Sequence, residues 1–198
     1  MEQYMLAFLK ARSYDIVKMF VYQIALSLFG LSLALATGSR SATSELASYQ
    51  PSALQLVAGI FSIAFYLFLV CYFMWELGTK DASHIERGEA GHSRLTGLYM
   101  ALAASSINAL VAVCITLGNF LSDIPFFSDL GGGAAVVGLL TQGMYMGILS
   151  IRVNEAPLNS MWFVWFLTKI PLIVSASLAY YAGSRDFHLF KPKPPKNL

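Results

Sequence analysis

The feature that most limits what this chain can fold into is a set of five long apolar blocks. They cover about residues 19–36, 53–77, 95–121, 130–151 and 161–183, the first reading "MFVYQIALSLFGLSLALA". Blocks of roughly 18 or more apolar residues are long enough to cross the hydrocarbon core of a bilayer as a helix. Inside that core every backbone donor and acceptor must pair within the protein, which leaves helices or a closed barrel. A barrel needs strands of alternating polarity, and no such alternation is present. Charged residues make up only 12% of the chain, against roughly 25% in soluble domains. The expected fold is therefore an all-α polytopic transmembrane helix bundle. It has five spans over residues 1–183, an N-terminal interfacial helix, and a basic, Pro-rich tail at 184–198.

The connections carry the polar residues. Residues 1–17 mix Tyr4, Met5, Phe8 and Leu9 with Lys10, Arg12 and Asp15, the pattern of a helix lying at the headgroup level. Ala34-Leu35-Ala36 has the small-x-small form of a signal-peptidase site, but Glu2 and Asp15 make a poor n-region, so an uncleaved first span is expected. Lys10, Arg12 and Lys18 precede the first span, and Lys80, Arg87 and Arg94 follow the second. The positive-inside rule places both segments in the cytosol. The last block breaks that pattern. If it is a fifth crossing, Arg185, Lys191, Lys193 and Lys196 end outside. Lys169 and Pro171 at its centre offer an alternative, a re-entrant segment that breaks and returns. Its length favours one full crossing.

Between the second and third spans lies "WELGTKDASHIERGEAGHSR", the densest titratable stretch. Glu76, Asp81, His84, Glu89 and His92 include two carboxylate–His pairs three residues apart, a spacing that di-metal helical bundles use. Gly88 and Gly91 interrupt any helix there, and no second ligand set occurs on another span. A solvated cytosolic loop with Glu76–Lys80 and Lys80–His84 helical pairing accounts for the same residues. No metal and no cofactor is expected. The loop's role is then to meet another protein. Glu76, next to Trp75 at the membrane boundary, is expected to take a basic partner such as Arg94.

Gln23, Asn108, Gln142 and Lys169 lie within spans, the last three near mid-block. A lysine at that depth costs about 2.5–3.5 kcal/mol on insertion scales, so Lys169 should face protein or water. With no carboxylate at the same depth, its counter-charge is left to a substrate anion, a partner subunit or snorkelling. Amides in spans also serve as interhelical glue. Gly143 and Gly147 form a GxxxG pair suited to close helix packing or to dimerisation. Asp129 is placed to cap the fourth span, and Phe126, Phe127, Trp162, Trp165, Tyr180 and Tyr181 read as interfacial anchors.

Net charge is +2, so nothing suggests a nucleic-acid surface. Cys71 and Cys114 both sit in apolar blocks and read as small buried hydrophobes. There is no G-x-S-x-G elbow, HExxH, P-loop or dinucleotide fingerprint. "FMWELGTKD" after the second span and "LAYYAGSRDF" at the end of the last resemble small polytopic membrane proteins of Gram-positive bacteria. That resemblance implies a multi-pass protein of the bacterial plasma membrane and no particular chemistry. Three functional classes follow. The first is a non-enzymatic subunit or partner of a transport or cell-envelope system. The second is a small oligomeric transporter or channel whose polar cavity is lined by Lys169, Asn108 and Gln142. The last is an intramembrane enzyme. The partners expected are the lipid bilayer and a membrane protein or further copies of the chain.

Overall fold

The structure, a computed structural model, describes residues 2–37, 51–86, 95–153 and 156–185. It is a helical bundle, with one two-stranded hairpin as its only sheet among the described residues. Helix α1 (Glu2–Ala11) leads almost directly into α2 (Ser13–Thr37). Helix α3 (Ala53–Glu86) runs nine residues past the expected end of its apolar block, carrying Asp81 and His84 on helix rather than loop. Its start is fixed by Ser52, whose hydroxyl accepts from the Gln55 N–H at 3.1 Å and donates to the Thr37 carbonyl at 3.0 Å. One short side chain thus caps α3 and ties it to the end of α2. Helix α4 (Thr96–Phe120) and helix α5 (Pro125–Gln142) follow, α5 opening with proline at its first position, where the missing N–H costs nothing. Asp129 therefore lies inside α5 and not at its cap, because Pro125 starts the helix earlier than the apolar block suggests.

Five helical stretches are long and apolar enough to cross a membrane: Ser13–Thr37, Ala53–His84, Thr96–Phe120, Pro125–Leu149 and Val164–Gly183. The chain is thus a multi-pass integral membrane protein. The fourth stretch follows a path of its own. α5 leaves the end of the bundle where Thr37, Ala53 and Phe120 lie (the upper end) with Gly131 backed against Gly118 of α4. It descends antiparallel to α4 as far as Gln142, whose backbone angles, φ −130° and ψ 20°, leave the helix. A 3₁₀ turn (Gly143–Tyr145) and the short helix α6 (Met146–Leu149) come next.

The neighbours of this segment show which way it runs. Climbing α2 from Gln23 through Ser27 to Gly30, one meets Thr141, Gly143 and Met144 in turn. On α3, Gly147 lies against Gly59 and Ser150 beside Gln55. Gly59 is about 10 Å above Tyr66 at ~1.5 Å per residue. The stretch therefore enters to mid-depth and turns back to the upper end. There Ile151 reaches a small hairpin in which β1 (Arg152–Val153) pairs with β2 (Ala156–Pro157), Arg152 opposite Pro157. The ring of Trp162 lies 5.7 Å from that of Phe120, also at the upper end.

The last stretch runs the full depth. Helix α7 (Val164–Leu167) is followed by a break at Thr168 and Lys169, and helix α8 (Ile170–Gly183) continues downward. It ends with Gly183 against the Trp75 carbonyl and Tyr180 over Gly97, at the lower end where Arg12 and Asp81 also lie. The reversal weighed for Lys169–Pro171 is instead found at Gln142–Tyr145. The reason is local. Proline in the first turn of α8 needs no N–H partner, so the chain bends and resumes its course.

Glycines set how closely these elements approach. A Cβ on Gly59 would sit 2.8 Å from the Gly147 Cα, and one on Gly147 would sit 2.6 Å from the Gln55 carbonyl. Gly143 is equally tight against Ser27 of α2. The GxxxG pair thus packs within the chain, each glycine on a different helix. Gly132 and Gly133 have nothing within contact distance.

Candidate functional site

The two breaks meet. Where α5 stops and where α7 gives way to α8, the Thr168 hydroxyl donates to the Gln142 side-chain carbonyl. Each break frees backbone groups at membrane depth, and each is repaired by side chains, as a non-aqueous setting demands. At the first, Gln23 of α2 donates its amide to the Thr141 carbonyl at 3.2 Å, and Ser27 accepts from the Gly143 N–H. At the second, the Trp165 carbonyl receives the Lys169 ammonium at 2.9 Å, and the Thr168 hydroxyl, 3.0 Å from the same carbonyl, shares its one proton between that carbonyl and Gln142. Lys169 thus folds back along its own chain and caps the C-terminus of α7, where a cation suits the exposed carbonyls.

Around this junction lies a cavity of about 10 Å³ lined by Gln23, Tyr66, Ser105, Asn108, Gln142, Tyr145, Thr168 and Lys169, with Met144 and Leu172. That is room for about one water-sized body. Ser105 and Asn108, three residues apart on α4, share one face. The alanines above and below them, Ala101, Ala104 and Ala112, are fully buried and let the neighbouring helices close in. Among the described residues four buried side-chain atoms have no hydrogen-bond partner: Ser105 Oγ, Asn108 Oδ1, Gln142 Nε2 and Tyr145 Oη. All four belong to residues lining this cavity. Leaving a buried polar atom unpaired costs about 1–3 kcal/mol, so four around one void is an expensive arrangement for packing alone. Lys169 is 8% exposed, and among the described residues no carboxylate lines the cavity.

A second polar cluster sits at the lower end, and its groups are paired. Asp81 receives the Arg12 guanidinium at 2.6 Å and the Tyr180 hydroxyl at 2.8 Å, joining the α1–α2 turn, α3 and α8. Partial burial works against the Arg12 charge, but the hydrogen bond and charge of Asp81 outweigh it and raise its pKa further. Asp81 is therefore a structural tie, not part of a solvated loop.

The sequence-expected site residues divide accordingly. Lys169, Asn108 and Gln142 come together. Glu76 pairs with Lys80 one turn along its own helix at 2.7 Å, in the open. His84 is exposed on the last turn of α3. Glu89 and His92 lie outside the described residues, as does Arg94, the partner expected for Glu76. Among the described residues no group of three His, Cys, Asp or Glu side chains could hold a metal ion. Two expected interfacial anchors are core residues instead. Trp165 is 1% exposed, packed on Gly138 with its indole N–H on the Asn159 carbonyl, and Tyr180 is the partner of Asp81. Their polar atoms find partners inside the bundle, so neither needs the headgroup region.

Tyr66, Ser105, Tyr145 and Thr168 join the site without any sequence signal, since hydroxyls within apolar blocks are common and only their convergence singles them out. No protein-family model, curated protein or solved structure matches this chain.

Proposed function

We propose that the protein is a solute-binding component of a membrane transport system, with its binding site at the junction of the two interrupted stretches. The observation that carries this reading is the meeting of Gln142 and Thr168 at mid-depth around a void whose lining leaves four buried polar atoms unpaired. Irregular backbone at membrane depth is tolerated where it is buried in protein or lines a pathway, and transporters place substrate sites at such broken helices. The reading keeps the non-enzymatic transport class expected from the sequence and moves the protein from docking partner to the part that holds the solute. The resemblance of its two short motifs supports the bacterial plasma membrane as the setting.

The test is aqueous access. In a background lacking Cys71 and Cys114, Asn108→Cys is treated in membranes with small water-soluble thiol reagents from either side. Ala112→Cys, one turn away on α4 and fully buried outside the cavity lining, serves as the control. Cys at 108 should react while Cys at 112 stays protected. Protection of both positions from both sides would make the cluster structural and end the transport reading.

A further inference from the structure

Resting on that reading, the lining of the cavity also defines the chemistry of what it takes. We propose that the site binds a small monovalent inorganic anion of about halide size. The charge argument comes first. Among the described residues Lys169 is the one ionisable side chain lining the cavity apart from the two tyrosines, and none of the ion pairs formed among them includes it. Every element around it contributes a neutral group: Gln23 from α2, Tyr66 from α3, Ser105 and Asn108 from α4, Gln142 from α5 and Tyr145 from the 3₁₀ turn. A buried ammonium needs a counter-charge or a large solvation substitute. The Trp165 carbonyl, at 2.9 Å, uses only one of its three N–H donors.

The hydrogen-bonding argument agrees. Of the four unpaired atoms, the Ser105 and Tyr145 hydroxyls can each donate. The Asn108 and Gln142 amides each carry a donor and an acceptor on one shape and present either by a flip. The lining thus offers donors from three elements and one positive charge, the complement of an anion. Size narrows the class. About 10 Å³, room for one water-sized body, limits the anion to a single atom and leaves no space for an organic one. One ammonium balances one negative charge, and a divalent anion would leave a net charge buried.

The full chain, purified in detergent, is titrated with chloride and followed by chlorine NMR line broadening, with gluconate holding ionic strength constant. Wild type should broaden the line saturably, and bromide should compete where gluconate does not. Lys169→Met should weaken the effect about tenfold or more, since it removes the charged donor. Gln142→Glu supplies an internal carboxylate beside Lys169; it should fold with unchanged helix content and lose the effect as well. Wild type without saturable broadening, or broadening retained in both variants, overturns the anion. A reactive Cys at 108 with no chloride effect would leave the solute site standing without it. Chloride bound while position 108 stays protected would keep the anion as a fixed part of the fold and end the transport reading.

Discussion

The two polar clusters of this bundle use similar materials to opposite ends. At the lower end one carboxylate receives a guanidinium and a phenol hydroxyl, and three elements are tied together. At mid-depth three amides, four hydroxyls and an ammonium gather around a void, and four of their atoms are left unpaired. Position in the membrane does not explain this, because the deeper cluster is the one that most needs internal partners. The difference separates polar residues kept for stability from those kept in spite of it.

Substitution should divide the two clusters in the same way. The largest effect belongs to Asp81→Ala, which removes the acceptor shared by Arg12 and Tyr180 and leaves the guanidinium only its longer contact with Asp15 at 3.7 Å. With Arg12 about a quarter exposed (side-chain 26%) and Asp81 at 13%, the loss falls below that of a fully buried pair. It should be about 1–3 kcal/mol, read as a lower unfolding temperature in detergent. Asn108→Leu should behave differently. Replacing an unpaired buried amide by an apolar group of similar size should change stability by under about 1 kcal/mol, with a gain as the expected sign. Solute or anion binding should be lost. A destabilisation as large as that of Asp81→Ala would mean that Asn108 is held by contacts and erase the contrast. Glu76→Gln sets the baseline. Its exposed partner Lys80 is solvated either way, so the unfolding curve should not move.

The outline of this fold can be read from hydropathy alone, since a block of apolar residues has few places to go. The polar residues at block centres, Asn108, Gln142 and Lys169, also point to one depth before any coordinates are known. What hydropathy cannot register is direction. "LLTQGMYMGIL" is equally apolar whether it continues through a membrane or turns back, and the loudest local break, Pro171, belongs to a stretch that carries on. The turn depends on partners distant in sequence: Gln23 and Ser27 for the freed backbone, Gly59 for the returning arm. The same turn removes the charge conflict of the sequence, because the described chain ends at Arg185, beyond Gly183 at the lower end, where Arg12 also lies. A single cysteine at position 193 on a Cys-free background (Lys193→Cys) should therefore be labelled in intact cells only after permeabilisation. Labelling from outside would straighten the fourth stretch into a crossing.

The return of α6 to the level at which α5 began sets the parity of the whole chain. With one stretch re-entering, α2, α3, α4 and the α7–α8 pair make an even number of passages, and the described chain starts and finishes at one face. Two copies joined head to tail would then sit in the membrane with the same orientation. A duplicated form of this protein would be a parallel repeat, related by an axis along the membrane normal rather than one lying in its plane.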